Sequence, residues 1–236
     1  VGKVVGKQGW DSGRLNGAFR FDGDSHIEIS NVAEFDDSDA FSVTAWVYRD
    51  ESGHMAILSR MDDVEHHRGY DVYVDDRGHL FVHLVHTWPS NAIRINATQP
   101  LRNQKWHHVG MTYDGSGKAN GAKLYVDGEL QETKVTHDSL SGTIKNQQPL
   151  RLGRRSTSAP WVGMLDEIRI YDRNLPPNEI ASLADSDPIR DIASIPPESR
   201  TEPQQARLID HFMSTHVAGY RSLLHNIKRT QERHRK

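Results

Sequence analysis

The sequence of 236 residues contains no cysteine, which excludes disulfide bridges, thiolate nucleophiles and cysteine-ligated zinc. It also lacks any apolar run that approaches the roughly 20 residues needed by a membrane-spanning helix. The formal net charge of −3 gives no large field of one sign, so nothing in the composition indicates a nucleic-acid partner. The apolar fraction of 36% and the charged fraction of 26% are typical of a soluble chain that can bury a core.

Short segments of alternating apolar residues dominate residues 17–171. β-branched and aromatic residues recur at every second position, which predicts strands with one buried face, in the stretches 41–47, 70–74, 79–84 and 123–126. Hairpin turns with Asp and Gly are predicted at 76–78, 114–115 and 127–128. Because no helix of crossover length separates the strands, the pattern excludes a doubly wound α/β sheet and leaves a sandwich, jelly roll or barrel.

The sequence after the strands changes character twice. Residues 175–183 predict one short helix with prolines in its first turn. Residues 185–203 are rich in Asp, Ser and Pro, which favours an unpacked linker, and beyond residue 202 the apolar spacing becomes helical. We therefore expect a β-sandwich domain at 1–185, followed at 186–236 by a linker and an amphipathic helical tail.

The helical tail has two predicted apolar faces, separated by a break near residues 214–219. Their members are Ala206, Ile209, Phe212 and Met213 for the first face, and Tyr220, Leu223, Leu224 and Ile227 for the second. The basic end of the tail suits a membrane-surface or nucleic-acid helix, but a piece of a flanking domain is the favoured interpretation. Since the chain starts without methionine or a signal peptide and ends inside this basic pattern, we expect it to belong to a longer protein.

Four sequence stretches occur in a characteristic order. They are Gly-Ala-Phe-Arg-Phe-Asp-Gly at 17–23 with 27–29, Phe-Ser-Val-Thr-Ala-Trp-Val at 41–47, Trp-His-His-Val-Gly-Met-Thr-Tyr at 106–113 running to 128, and 150–153 with 163–171. Together, over residues 15–183, they resemble the laminin-G-like superfamily, which also contains pentraxins and legume-lectin-type sandwiches. The resemblance implies an all-β, two-sheet antiparallel jelly-roll sandwich of the concanavalin A-like kind, with its first and last strands side by side.

The resemblance also implies one structural calcium ion. Some members of the superfamily hold one between an Asp of the first core strand and an Asp near the last strand. The matching positions are Asp22 and Asp166, with Asp24 and Glu167 nearby. Calcium takes six to eight oxygen ligands, so two or three carboxylates and some backbone carbonyls would suffice. The alternative is that Asp22 shapes a turn while Asp166 and Glu167 accept hydrogen bonds at strand ends.

The loop at residues 154–161 contains two arginines and no carboxylate, whereas pentraxins hold a pair of calcium ions with an acidic loop at this place. A pentraxin-type, calcium-bridged ligand site is therefore not expected. Arg154 and Arg155 are candidates to bind a carboxylate or sulfate group, because a guanidinium offers parallel donors. The favoured interpretation is an ordinary solvated loop.

Aromatic side chains are further candidates for ligand binding, because the apolar faces of sugars stack on rings while sugar hydroxyls need polar partners. Trp88 is the best candidate for an exposed ring, with Asn91 as a polar group beside it. Trp10 and Trp161 also lie in loops or at strand ends, but Trp161 matches a position where the family usually has a packed aromatic residue. Two tryptophans lie within strand motifs and are expected to pack, namely Trp46 and Trp106.

The 14 histidines invite a metal or proton-transfer site, but pairs of neighbours, or of residues three apart, point to opposite faces of a regular strand. His66 and His67 lie in a charged loop where a weak metal site is less favoured than a solvated loop. The sequence has no alternating carboxylates of the retaining-glucanase type, no Gly-x-Ser-x-Gly elbow and no phosphate loop. We therefore expect no catalysis by this chain.

The sequence thus predicts a non-catalytic recognition module for a glycan or a protein ligand, with flanking domains in the parent chain. The linker and tail resemble junctions of large secreted planctomycete-type proteins, which implies an exported multidomain bacterial parent, secreted or periplasmic. One alternative is a structural spacer, favoured if Trp88 is buried and no groove exists. The other is a glycoside hydrolase on the same fold, which needs two carboxylates facing each other across a sheet.

Overall fold

The computed structural model describes residues 2–7, 9–14, 17–185, 188–217 and 219–220. The chain forms two compact units, Val1–Asp185 and Ser186–Lys236. The strands of the described part all lie in the first unit and are β1 (Lys3–Val5), β2 (Trp10–Ser12), β3 (Gly17–Asp22), β4 (His26–Ile29), β5 (Phe41–Arg49), β6 (Met55–Asp62), β7 (Arg68–Val74), β8 (His79–Thr87), β9 (Asn91–Pro100), β10 (Trp106–Tyr113), β11 (Ala122–Val126), β12 (Glu129–Leu130), β13 (Thr133–Asp138), β14 (Leu150–Leu152) and β15 (Val162–Tyr171).

The strands pair into two antiparallel sheets. One sheet has eight strands in the order β1-β4-β14-β6-β7-β8-β9-β13, and the other has seven in the order β12-β11-β10-β5-β15-β3-β2. β3 and the last strand, β15, are neighbours, with Phe21 opposite Gly163. The predicted two-sheet antiparallel sandwich is therefore confirmed, together with the side-by-side position of its early and final strands.

A single large apolar core contains side chains from both sheets. Successive residues of a strand point to opposite sides, so each strand contributes every second residue to this core. On β7, Tyr70, Val72 and Val74 are buried in the core, whereas the intervening Asp71 and Tyr73 point to the other side. The outer face of the eight-stranded sheet is thereby available for polar and aromatic groups.

The predicted turn between β11 and β12 is a hairpin turn whose two central residues are left-handed. Asp127 and Gly128 have φ angles of 51° and 87°, as a tight two-residue hairpin requires. The Asp127 carboxylate also holds the neighbouring strand, because Oδ2 lies 2.9 Å from His107 Nδ1 and Oδ1 accepts a 2.9 Å hydrogen bond from the His108 amide. One acidic residue thus fixes both the turn and the end of β10.

The first unit ends with helix α1 (Pro177–Asp185), which matches the short helix predicted from the prolines and apolar spacing. Its buried residue Ile180 packs in a separate apolar cluster with Tyr125 of β11 and Leu175. The helix therefore covers part of the outer face of the seven-stranded sheet, the sheet that does not contain β7.

The second unit contains α2 (Pro188–Ser194), a 3₁₀ turn (Pro197–Ser199) and α3 (Glu202–His216). The prediction of an unpacked linker is therefore wrong for residues 188–194, where Ile192 is buried. The Arg200 guanidinium donates to the carbonyl oxygens of Ile192, Ala193 and Ile195. These bonds satisfy carbonyls at the end of α2 that have no partner within the helix.

Helix α3 is the predicted start of the helical tail. A capping box of Thr201 and Gln204 begins it, because each residue's side chain pairs with the other's backbone amide. Ile209 and Phe212 on its predicted apolar face are largely exposed. The second predicted face, apart from Tyr220, lies outside the described residues. No helix of the described part is both long and apolar enough to cross a membrane.

Replacing Gly153 by alanine is expected to destabilise the sandwich strongly, because an added Cβ would lie 2.4 Å from the Phe21 ring. Gly153 follows β14 in one sheet and Phe21 belongs to β3 in the other, so this contact joins the two sheets. Gly142→Ala is the matched control: Gly142 has the same φ of 83°, but its added Cβ would meet only the His86 ring, at 3.6 Å.

The control is expected to cost about 1 kcal/mol for the left-handed backbone, and Gly153→Ala at least about 2 kcal/mol more for overpacking. Urea unfolding of the two variants measures both. Equal losses would show that the approach of Phe21 to residue 153 does not limit the packing of the sheets.

Candidate functional site

A cavity of about 210 Å³ lies on the outer face of the eight-stranded sheet. Met61 and Val85 contribute apolar surface to it. Its aromatic and polar lining comes from six side chains, which are His67, Tyr73, His83, Trp88, Arg94 and Arg155. Because β7, β8 and β9 are adjacent in the sheet, the alternation of their side chains brings residues from all three to one face.

Asp71 on β7 is a carboxylate with no exposed surface that contacts two of the lining residues. Its Oδ1 lies 2.7 Å from His83 Nδ1, and its Oδ2 accepts a 2.6 Å hydrogen bond from Arg155 Nε. Burial by itself would raise the pKa of Asp71, but the charge of Arg155 and the hydrogen bonds from Arg155 and His83 outweigh burial and lower the pKa to about 2. Asp71 is therefore ionised near neutral pH and orients both partners.

His83 supplies a fixed hydrogen-bond acceptor to the cavity. Burial lowers the pKa of His83 by more than the Asp71 carboxylate raises it, so the ring is neutral at pH 7. The carboxylate at Nδ1 favours the tautomer with its proton on that nitrogen, which leaves Nε2 as the acceptor. Rings on two sides hold the imidazole, with Phe81 stacked at 5.9 Å and Trp88 edge-on at 5.7 Å between centroids.

Trp88 and Arg94 form the aromatic and cationic side of the cavity. Trp88 follows β8 and is partly buried against a small apolar cluster that includes Val85. The Arg94 guanidinium carbon lies 4.6 Å from the ring centroid of Phe81 and 5.9 Å from that of Trp88, which is within range of a cation–π interaction. Arg94 Nε is buried, and within the described residues no acceptor receives its hydrogen bond.

Two of the predicted ligand residues, Trp88 and Arg155, line this cavity, and the structure brings them together. The favoured interpretation of the loop at residues 154–161 as solvated is wrong for Arg155. Its Nε is bound to buried Asp71, and its guanidinium carbon lies 4.7 Å from the Tyr73 ring centroid. A loop residue is thus anchored to the sheet through a buried ion pair.

The other two predicted ligand residues do not line the cavity. The Asn91 amide is fully engaged by Ser141, because Nδ2 donates to the Ser141 carbonyl at 2.9 Å and Oδ1 accepts from the Ser141 amide at 2.8 Å. Arg154 Nε donates to the carbonyl oxygen of Arg155 at 3.2 Å. Both side chains thus take part in local structure rather than in the lining of this cavity.

Sequence reasoning did not assign four cavity residues or their partners to a ligand site, although it considered one of them, His83, for a metal site with His86. They are Asp71, Tyr73, His83 and Arg94. The available signal was the set of residues between the apolar ones, since a strand that sends Val72 and Val82 into the core must send Asp71 and His83 to the opposite face.

The predicted calcium ligands are not brought together. β15 pairs with β3 so that Asp22 lies opposite Val162, four residues along the strand from Asp166. At about 3.3 Å per residue this separation is roughly 13 Å, too far for one ion that binds oxygens at about 2.3–2.6 Å. The ligand set of Asp22, Asp24 and Asp166 is therefore wrong.

The turn role that was the alternative for Asp22 is present instead. Asp22 Oδ1 accepts hydrogen bonds from the amides of Asp24 at 3.2 Å and Ser25 at 2.9 Å. Asp166 Oδ1 accepts from the amide of Glu167 at 2.8 Å, beside a β-bulge in β15. In the described part of the chain, no three His, Asp or Glu side chains are grouped to hold a metal ion.

The remaining tryptophans lie away from the cavity. Trp161 is fully buried in the core, and Trp46 is buried as well, with the Arg14 guanidinium over its ring. Trp106 is partly buried beside Tyr48. Trp10 on β2 is 56% exposed and packs edge-on against Phe19, so it resembles Trp88 in being accessible but belongs to the other sheet.

A family model described as "Concanavalin A-like lectin/glucanases superfamily", Laminin_G_3, matches residues 21–181. Among solved structures, the chain is similar to the binding domain of Paraclostridial Mosquitocidal Protein 1, at 19% identity and a TM-score of 0.58 over 77% of this chain and 47% of that one. It is similar to domain 4 of AbnA, a GH43 extracellular arabinanase from Geobacillus stearothermophilus in complex with arabinotriose, at 19% identity and a TM-score of 0.52 over 78% and 87%.

A third similar structure is the Ruminococcus gnavus IT-sialidase CBM40 bound to alpha2,3 sialyllactose, at 18% identity and a TM-score of 0.51 over 67% of this chain and 95% of that one. At such identities these likenesses show the fold alone. The chain spans slightly less than half of the length of the mosquitocidal-protein domain. A comparison with curated proteins found no match.

Asp71→Asn is expected to destabilise the protein by about 3–5 kcal/mol, because it leaves the Arg155 guanidinium without its buried carboxylate. Glu179→Gln is the matched control, since it removes an exposed ion pair with Arg173 and should leave the urea midpoint nearly unchanged. Equal midpoints for the two variants would contradict a structural role for the Asp71 pair.

The same variant gives a pH signature. A carboxylate with a lowered pKa contributes stability above its unfolded pKa, near 3.9, and loses it as the pH falls toward about 2. The difference in unfolding free energy between the wild type and Asp71→Asn should therefore narrow over this range. A difference that stays constant from pH 5 to pH 2 would contradict the assignment of the ion pair.

Calcium should not act through Asp22 and Asp166 together. Asp22→Ala is expected to cost about 1 kcal/mol by removing the turn hydrogen bonds, with and without millimolar calcium. Asp166→Asn should show the same calcium-dependent change in melting temperature as the wild type. A calcium-induced rise that each single substitution abolishes would overturn the register argument.

Proposed function

Because the chain belongs to the Laminin_G_3 family of the concanavalin A-like lectin/glucanase superfamily, we propose that it is a non-catalytic carbohydrate-binding module. The observation that carries this proposal is the cavity on the outer face of the eight-stranded sheet. There a partly exposed indole lies beside hydrogen-bonding groups whose orientation is fixed from below.

The chemistry of the cavity fits a sugar. Trp88 offers a ring on which the apolar face of a pyranose can stack, and His83 and Arg94 offer an acceptor and donors to hydroxyl groups. The Asp71 ion pair and the Phe81 ring hold these groups in place before a ligand arrives. Preorganisation reduces the entropy lost on binding, which favours affinity for a small polar ligand.

Two of the similar structures support the proposal by their contents. The arabinanase domain is in complex with arabinotriose, and the CBM40 is bound to alpha2,3 sialyllactose. The backbone of this sandwich therefore resembles backbones that hold sugars in other proteins. The residues that would do so in this chain are argued from its own cavity.

The proposal treats the module as non-catalytic because of the state of Asp71. A glycosidase needs a carboxylic acid that donates a proton and a second carboxylate as base or nucleophile. With a pKa lowered to about 2 and both oxygens engaged, Asp71 does not supply the acid. Among the described residues that line the cavity there is no Asp or Glu.

A structural spacer is the competing function. A spacer would have a buried Trp88 and no groove. In this structure Trp88 is only partly buried and borders the cavity, which favours a binding role. As part of the proposal, the module belongs to an exported bacterial protein, secreted or periplasmic, whose flanking domains it helps to bring to a glycan.

A glycan array tests the proposal with the full chain and two tryptophan variants. Trp88→Ala should lose binding on the order of 10- to 100-fold, since stacking on an indole and the packing around it are removed. Trp10→Ala, which removes an indole from the other sheet, should bind as the wild type does. Melting temperatures of both variants distinguish lost contacts from lost folding.

Either of two results would reject carbohydrate binding by this cavity. The first is a wild-type chain that binds no glycan on the array, which favours the spacer. The second is a folded Trp88→Ala variant that binds every retained glycan with wild-type affinity.

A further inference from the structure

We infer that the sugar bound in this cavity carries an anionic group, a carboxylate or a sulfate ester, and that Arg94 and Arg155 bind that group. The inference rests on the proposed carbohydrate-binding function and names the class of ligand. It starts from the charges around the cavity rather than from its aromatic ring.

The carboxylates near the cavity leave Arg94 uncompensated. Asp71 forms its ion pair with Arg155, at 2.6 Å. Asp63 also contributes to the electrostatic field at Arg155, but its Oδ2 accepts hydrogen bonds from both Thr157 and Ser158. Within the described residues, neither these nor any other carboxylate forms an ion pair with Arg94. A cation therefore lines the cavity without a counter-ion from the described protein.

Arg94 is also held in a fixed position. It lies on β9 opposite His83 of β8 and His137 of β13, and its guanidinium packs over the rings of Phe81 and Trp88. Its Nε is buried without an acceptor among the described residues. This nitrogen is enclosed, so a ligand oxygen in the cavity reaches the guanidinium through its terminal amino groups rather than through Nε. The arrangement thus favours a ligand that places an acceptor at Arg94.

Arg155 supplies a second guanidinium on the same cavity. Its Nε is committed to Asp71, while within the described residues its two Nη groups make no hydrogen bond. The ion pair and the Tyr73 ring prevent the side chain from turning away. Two oriented guanidinium groups on one small cavity are suited to the several oxygens of a carboxylate or sulfate.

An oxyanion is the ligand group that best uses these donors. Hydrogen bonds from a guanidinium to an anion are about twice as strong as neutral ones, and the planar fork matches a carboxylate or sulfate edge. Aromatic walls reduce hydration and therefore strengthen the attraction. The volume of about 210 Å³ lies below the roughly 300–1,000 Å³ of sites for larger ligands, so the cavity suits one acidic sugar residue with the rest of the glycan outside.

The test measures binding of the full chain to an array that contains sialylated, uronate-bearing, sulfated and neutral glycans. The wild-type protein should bind acidic glycans. Binding to the sialylated or uronate-bearing glycans would identify the anion as a carboxylate, and binding to the sulfated glycans would identify it as a sulfate. For the best glycan, affinity is then measured by calorimetry before and after chemical reduction of its carboxyl group or enzymatic removal of its sulfate. Loss of the anion should weaken binding on the order of 10- to 100-fold.

Arg94→Gln should weaken binding of the acidic glycan by a similar factor and binding of its neutral counterpart less, because the neutral sugar loses only a hydrogen bond to a hydroxyl group. Arg94→Lys keeps the positive charge but loses the planar pair of donors, so its affinity for the acidic glycan should lie between those of the wild type and Arg94→Gln. Arg154→Gln is the matched control, because Arg154 lies in the adjacent loop outside the cavity lining and should bind as the wild type does. Unchanged melting temperatures confirm that the variants are folded.

The inference is overturned if the wild type binds neutral glycans as tightly as their acidic counterparts, or if Arg94→Gln weakens both forms equally. In those cases the carbohydrate-binding proposal stands and only the class of sugar is rejected. Absence of binding to every glycan rejects the function and the inference together.

Discussion

A carboxylate removed from water must be paired, and that requirement at Asp71 organises the outer face of the eight-stranded sheet. One oxygen fixes the ring of His83 and the other fixes the guanidinium of Arg155. Without the carboxylate, the arginine would lose the ion pair that holds it over the sheet, and the histidine could present either ring nitrogen to the cavity. The shape and polarity of the cavity both follow from this one buried charge.

The sheet can hold such a charge because one of its faces packs in the apolar core and the other carries polar and aromatic side chains. Alternate residues of β7 and β8 lie in the apolar core. The residues between them lie on the outer face and include Asp71, Tyr73, Phe81 and His83. The core side gives a rigid backbone, so polar groups on the outer side keep their positions without a ligand. Rigidity of this kind is what a small binding site needs to select among similar sugars.

Local pattern was enough to predict the strands, the Asp127–Gly128 hairpin and the short helix, because each depends on residues close in sequence. The order of the four motifs along the chain, through the resemblance, was enough to predict that β3 and β15 are neighbours. The register of the strand pairing was not available from either source. The resemblance therefore placed Asp22 beside Asp166, whereas Asp22 lies opposite Val162, four residues away along β15. The cavity was missed for a related reason: the partner of Asp71 is 84 residues away, in a loop judged by composition to be solvated.

The strands β6 to β9 form a contiguous meander, and β14 lies next to β6 in the same sheet. The ion pair between Asp71 and Arg155 joins this meander to the loop that follows β14. The binding surface is consequently not a portable fragment. A graft of β6 to β9 onto another scaffold would transfer the indole, the imidazole and Arg94, but it would also transfer a carboxylate stripped of its guanidinium. Engineering of this surface must therefore keep the whole sandwich, and sequence diversity is best introduced at the rim of the cavity rather than beneath it.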